Sequence, residues 1–297
     1  MENNTVLSIS NLKKNYGAIQ ALKGVSFDVP KGCVYGILGP NGSGKTTLLG
    51  IVLDVLKSNG GTFDWIGYTR AEDARKKQGA LLETPNFYHY LSAVDNLKIV
   101  AELKQIKNPN IDGVLKRVSL LERKNSKFQT YSLGMKQRLA IASALLSNPE
   151  VIVFDEPTNG LDPEGIAEIR NLIKELSKEG RIIIMASHLL DEVEKVCTHV
   201  AILKKGELIS EGPVSTILKD EPTYELKAEN MEALHTALQN HPNISTVVKE
   251  DQHWIASFTE KVSAAAINQY CFTNNIAISH LKENNLSLEK TFLELIK

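Results

Sequence analysis

The sequence predicts an α/β protein with a mainly parallel sheet, an inserted helical block and a small α+β module at its C-terminal end. Three observations carry this prediction. Apolar strand-like runs, VYGIL (34–38), VIVF (151–154) and RIIIMASH (181–188), alternate with helical patterns, as in parallel sheets covered on both faces. From about 84 to 150 the pattern is almost wholly helical. Around EGPVSTILKDEPTY (211–224) the character changes, and strands and helices follow in a different order.

Bulk properties narrow the function classes. The 297 residues can bury a full core, and 42% apolar with 23% charged content is ordinary for a globular chain. A net charge of −1 with dispersed Lys and Arg argues against a nucleic-acid surface. Cys33, Cys197 and Cys271 form no CxxC pair and read as small buried hydrophobes in a reducing compartment. No run approaches the ~18–20 apolar residues of a spanning helix, and MENNTVLSISNLKKNYG lacks a signal-peptide core. The expectation is a cytoplasmic chain that reaches a membrane only through a partner.

The elements follow in order. VLSIS (6–10) and VSFDV (25–29) are short strands, and VYGIL runs through GPNGSGKTT into the helical LLGIVLDVL (48–56). LSAVDNLKIVAELKQI opens with Ser92 three residues before Asp95, a capping-box-like start. IDGVLKRVSLLER and RLAIASALLSNPE continue the helical block, which stops at Asn148-Pro149. VIVFDEP, RIIIMASH and HVAILKKGEL (199–208) are strand-like. Beyond them YELKAE, MEALHTALQNH, STVVKED, HWIASF, KVSAAAINQYCF and IAISHLKE give βαββαβ, and SLEKTFLELI adds a final helix. The expected domains are 1–215, with its helical subdomain at about 84–150, and 222–297.

The chemistry concentrates in a few motifs. Gly39-Pro40-Asn41-Gly42-Ser43-Gly44-Lys45-Thr46, followed by Thr47, fits the phosphate-binding loop G-x-x-x-x-G-K-[ST]. Its glycines let backbone N–H groups turn toward phosphate oxygens, and the following helix offers its positive N-terminus. Lys45 adds a charge between the β- and γ-phosphates, and Thr46 a hydroxyl for Mg²⁺. Asp155 and Glu156 leave the C-terminal end of a buried strand, where open α/β sheets hold ligands. Asp155 is placed to hold Mg²⁺ through water, and Glu156 to act as a base toward an attacking water.

These residues together closely resemble the ATP-binding subunits of ABC transporters, over roughly residues 5–215. The resemblance implies an ATPase core with an N-terminal antiparallel β-subdomain and the inserted helical subdomain. It implies that Glu156 polarises the hydrolytic water, that His188 in MASH contacts the γ-phosphate, and that Tyr16 in NYGAIQAL stacks on adenine. Asp162 in NGLDP falls in the D-loop, as a helix start and an interface residue. YSLGM stands where the family has LSGGQ, so Ser132 and Gly134 are kept while Leu133 and Met135 replace glycine and glutamine. Glu83 in GALLETPNF stands where a glutamine usually contacts Mg²⁺ and water, Gln78 lying too early. A subset resembling bacitracin-resistance exporters also carries Glu there.

The resemblance further implies head-to-tail pairing of two ATP-bound subunits, each signature closing on the other's γ-phosphate. A separate transmembrane permease is implied as the partner, docking at 86–105 on the helical subdomain. The module ending in LEKTFLEL resembles appended domains of drug, antibiotic or lipid exporters, which favours export. Two rival readings stand beside this one. They are a non-transport ABC ATPase acting on ribosomes or DNA, and a regulatory module that binds ATP without hydrolysing it.

Overall fold

The computed structural model describes residues 4–67, 74–75, 77–83, 86–217, 223–260, 262–284 and 292. The chain divides into two compact units between Val214 and Ser215. In the first, β1 (Thr5–Tyr16), β2 (Ile19–Pro30) and β4 (Gly60–Trp65) form an antiparallel sheet of order β2-β1-β4. Both long strands outrun the short apolar stretches that mark them in the sequence. The β1–β2 ladder shifts register between Ile9 and Leu12, and Asn11 there takes φ 49°. That irregularity carries pairing through a polar segment where no alternation signals it.

The main sheet contains β3 (Val34–Leu38), β5 (Gln78–Leu81), β6 (Val151–Asp155), β7 (Ile182–Ser187), β8 (His199–Lys204) and β9 (Glu207–Pro213). Its order is β5-β6-β7-β3-β8-β9, with every pairing parallel except β8–β9. β3, β6 and β7 are buried along their whole length, which explains their uninterrupted apolar sequences. HVAILKKGEL is not one strand. The chain reverses at Lys205 (φ 50°) and Gly206 (φ 83°), and the return strand β9 hydrogen-bonds to β8.

The helices that position the site and the helical block, among the described residues, are α1 (Lys45–Val52), α2 (Ala93–Leu103), α3 (Ile111–Arg117), α4 (Leu133–Leu145), α5 (Pro163–Lys178) and α6 (Leu190–Val196). Ser92 caps α2, accepting from Asp95 N–H at 3.1 Å. Asp95 answers through its side chain, its Oδ2 accepting from the Ser92 hydroxyl at 2.7 Å. This differs from a full capping box, in which the acid reaches the cap's backbone N–H.

The second unit has the βαββαβ order read from the sequence. β10 (Thr223–Ala228), β11 (Ile244–Glu250), β12 (His253–Phe258) and β13 (Ile278–Asn284) form a sheet of order β11-β12-β10-β13, antiparallel throughout. Its helices are α7 (Met231–Gln239) and α8 (Ala264–Thr273). Tyr224, Leu226, Ala256 and Phe258 make a core with Leu234, Leu238, Ile267 and Cys271. The final helix expected at SLEKTFLELI lies outside the described residues apart from Phe292, which is buried. Among the described residues no helix is long and apolar enough to cross a membrane.

Candidate active site

The site forms where β3, β6 and β7 end. β3 delivers the chain into the glycine-rich loop, whose Gly42 and Gly44 take φ 78° and 106°. A Cβ on Gly44 would meet Ala21 O at 2.5 Å, so only glycine fits. Gly44 caps α1 with no side-chain hydrogen bond, and the first turn of α1 holds no acidic residue. The helix therefore opens with uncapped N–H groups and its positive dipole end, a setting suited to an anion. Lys45 is buried, its Nζ donating to Gly39 O at 2.9 Å and Pro40 O at 3.3 Å.

β6 delivers Asp155 and Glu156 to the same place. Glu156 Oε1 lies 3.6 Å from Lys45 Nζ, and its Oε2 lies 2.9 Å from His188 Nδ1. His188 follows directly on β7, so two neighbouring parallel strands bring together residues 32 positions apart. Glu156 itself takes φ 49° and its N–H donates to Ala186 O at 3.0 Å. The backbone turns sharply there and aims the carboxylate between a lysine and a histidine.

Asp155 is buried, with Oδ1 lacking a hydrogen-bond partner among the described residues. Burial raises its carboxyl above the ordinary carboxylate range, and the charge of Glu156 adds to this. Hydrogen bonds from the Thr46 hydroxyl and the Glu83 N–H, with the charge of Lys45, pull the other way. A buried carboxylate oxygen without a partner beside a hydroxyl is an all-oxygen donor set that fits a hard divalent cation. Glu83 reaches Asp155 through its backbone, which takes φ 57°, while its side chain is exposed.

A cleft of about 710 Å³ opens over Lys45, Thr46 and Glu156, within the usual range for a small-molecule site. It is lined by Asn41, Gly42, Lys45, Thr46, Thr47 and Glu156 and, from the β1–β2 hairpin, by Tyr16. Tyr16 is 47% exposed, leaving a ring face available at the cleft, with Lys14 Nζ 5.2 Å from its centroid. Ser43 Oγ is buried without a hydrogen-bond partner among the described residues, and its N–H donates to Pro40 O at 3.1 Å.

Ser132 is the N-cap of α4 and accepts from Met135 N–H at 3.3 Å. Asp162 is the N-cap of α5, accepting from Gly165 N–H at 2.9 Å ahead of Pro163. The two caps stand beside each other in the fold. A Cβ on Gly134 would lie 3.4 Å from Leu161 Cδ2, and one on Gly160 only 2.5 Å from Leu133 Cδ2. Leu133, half exposed, thus leans its side chain over Gly160.

Two further residues escape the sequence reading. Gln137, on α4, donates from Nε2 to Glu156 O at 3.3 Å, tying the helical block to the turn at Glu156. Gln137 is buried in the fold, yet in the sequence it stands between Lys136 and Arg138 and nothing sets it apart. Lys205 lines the cleft from the β8–β9 turn, and was hidden by the reading of that turn as strand.

The model of the ABC transporter family matches residues 22–159. The chain is 46% identical over 211 residues to the uncharacterized ABC transporter ATP-binding protein YdbJ of Bacillus subtilis, covering 69% of this chain and 68% of that protein. Against the bacitracin transport ATP-binding protein BcrA of Enterococcus faecalis it is 34% identical over 297 residues, 98% of this chain and 96% of the relative. Among solved structures, the dimeric post-hydrolysis state of the ATP-binding cassette MJ0796 with ADP and Pi superposes at TM-score 0.63 and 27% identity, over 70% of this chain and 98% of that one. With the cleft, the buried lysine and the acidic strand end in one place, the chain belongs to the ATP-binding subunits of ABC transporters, the family that hydrolyses ATP to power transport.

Proposed function

We propose that this chain binds Mg·ATP in the cleft, closes in pairs on it, and drives export through a separate membrane permease. The convergence of Lys45, Glu156 and His188 at the ends of three adjacent strands carries the reading. Lys45 and the N–H groups of the loop take the phosphates, and Tyr16 takes the adenine ring. Thr46 and Asp155 hold Mg²⁺, with Glu83 beside them. Mg²⁺ neutralises phosphate charge, and the protein's own groups do the rest. Glu156 takes a proton from the attacking water, and His188 orients Glu156 and meets the γ-phosphate.

Ser132 and Gly134 present a helix N-terminus whose natural ligand is the γ-phosphate of a second subunit, and Asp162 adjoins that surface. A second ATPase subunit, identical or related, completes each site. The likeness to a dimeric cassette carrying ADP and Pi supports this arrangement. Segment 86–105, with Tyr88 and Tyr90 exposed, docks the permease at the inner face of the membrane. The likeness to a bacitracin transport protein over nearly the whole chain supports an antibiotic- or lipid-like cargo.

The test is ATP turnover with the permease reconstituted, wild type against Glu156→Gln. A general base contributes about 10²–10⁴-fold, and a loss of that size is expected. Equal turnover in both would remove Glu156 from the mechanism. Sedimentation of Glu156→Gln with ATP should show a dimer, and a monomer at every concentration would count against paired closure.

A further inference from the structure

On the outward face of the C-terminal sheet, three adjacent strands converge on one point. Glu225 of β10 lies between His253 of β12 and His280 of β13, since β10 pairs with both strands. Strand alternation sends Tyr224 and Leu226 into the core and turns Glu225 the other way. Glu225 Oε1 lies 3.4 Å from His253 Nδ1 and 3.6 Å from His280 Nε2, and the three atoms are all within 4.8 Å of one another. We propose that Glu225, His253 and His280 bind one divalent transition-metal ion, with Zn²⁺ the best fit.

The separations suit a shared ligand better than a tight ion pair. A charge-assisted bond between imidazolium and carboxylate settles at about 2.7–2.9 Å, and both contacts here are longer. Tetrahedral Zn²⁺ with bonds of ~2.0–2.1 Å sets its donor atoms about 3.3–3.4 Å apart, close to the carboxylate–imidazole separations. His280 Nε2 is itself buried without a hydrogen-bond partner among the described residues, as a nitrogen awaiting a ligand is.

Two imidazoles and one carboxylate form a donor set suited to zinc, with the fourth position left to water. Lysines share this face. Lys282 is opposite Glu225 in register and Lys227 opposite His280, but the Lys227 ammonium is drawn aside to Gln252 Oε1 at 3.2 Å. Because the ligands come from three strands fixed by their ladders, the ion would find them already arranged and would cross-link the sheet.

The experiment uses the full chain, stripped with chelator and free of nucleotide, titrated with ZnCl₂ by calorimetry. One equivalent should bind. His253→Ala and His280→Ala should each weaken binding by about tenfold or more, by analogy with losses seen when metal shells are disturbed. The double variant should lose the site, and Glu225→Gln should weaken it. An unchanged circular dichroism spectrum and thermal midpoint of each metal-free variant would establish that the fold is intact. Absence of binding in the wild type overturns the proposal, as does full binding in the double variant, which would assign the metal elsewhere. Neither outcome touches the nucleotide site, which is built from other residues.

Discussion

Leu133 stands over Gly160: a Cβ on that glycine would come within 2.5 Å of Leu133 Cδ2, so a methyl there would push the leucine side chain aside. The glycine also takes φ 73°, a conformation that costs other residues about 1–3 kcal/mol. The leucine that replaces a glycine in the signature is thus matched to a glycine in the neighbouring loop. Gly160→Ala should lower the urea midpoint and weaken ATP-dependent pairing. Adding Leu133→Ala should restore part of both, leaving only the φ cost. A double-mutant cycle measures the coupling, and a double variant no better than the single would assign the whole effect to the backbone.

His188 and Glu156 form the second coupled pair. His188→Ala removes the partner 2.9 Å from Glu156 Oε2 and leaves Lys45 at 3.6 Å as its remaining ionic neighbour among the described residues. Turnover should fall by about 10²-fold or more while ATP affinity changes little, because the loop keeps its own contacts. Measured kcat and nucleotide Kd separate the two. An unchanged kcat would make the histidine structural.

Asp155 gives a pH signature of definite sign. Its native carboxyl is raised mainly by burial, so over the window between the unfolded and native values the folded chain holds a proton the unfolded chain has lost. Its contribution to stability therefore decreases as pH rises through that window, and above it the buried charge costs its full penalty. Asp155→Asn should raise the thermal midpoint of the nucleotide-free chain at neutral pH by a few degrees and flatten its pH dependence. The same change should abolish Mg²⁺-dependent turnover. A midpoint that falls would contradict the electrostatic account.

The three cysteines should be silent. Burial pushes the Cys33 thiol up to about 12 and raises those of Cys197 and Cys271 as well. Reactivity belongs to the thiolate, so none should react quickly with a disulfide reagent at neutral pH in the folded chain. All three should react once denatured. A fast-reacting thiol in the native chain would show that one of these sites opens.

Much of the site was legible because its chemistry needs fixed spacing. The phosphate loop and Asp155-Glu156 were marked by a glycine pattern and by a strand ending in two acids. What the sequence hid was set by backbone conformation or by distant pairing. The β8–β9 reversal depends on Lys205 in a left-handed conformation, which no lysine advertises. The extension of β1 past Ser10 depends on an irregular ladder with β2. Glu83 was expected to act through its carboxylate, yet it meets Asp155 through a backbone N–H, which any residue but proline carries. Gln137 looked like one polar residue among many until the fold set it against Glu156 O.

The uncapped start of α1 has a consequence for the life of the protein as well as its chemistry. A helix that carries no cap of its own borrows one from whatever anion it holds. Folding and nucleotide occupancy are then thermodynamically linked, and nucleotide at a hundred times its Kd adds about 2.7 kcal/mol to the stability of the native state. ATP in a well-fed cell would act as a folding ligand for the very machine that consumes it. Stripping the nucleotide removes that increment, so the thermal midpoint should fall as nucleotide is withdrawn.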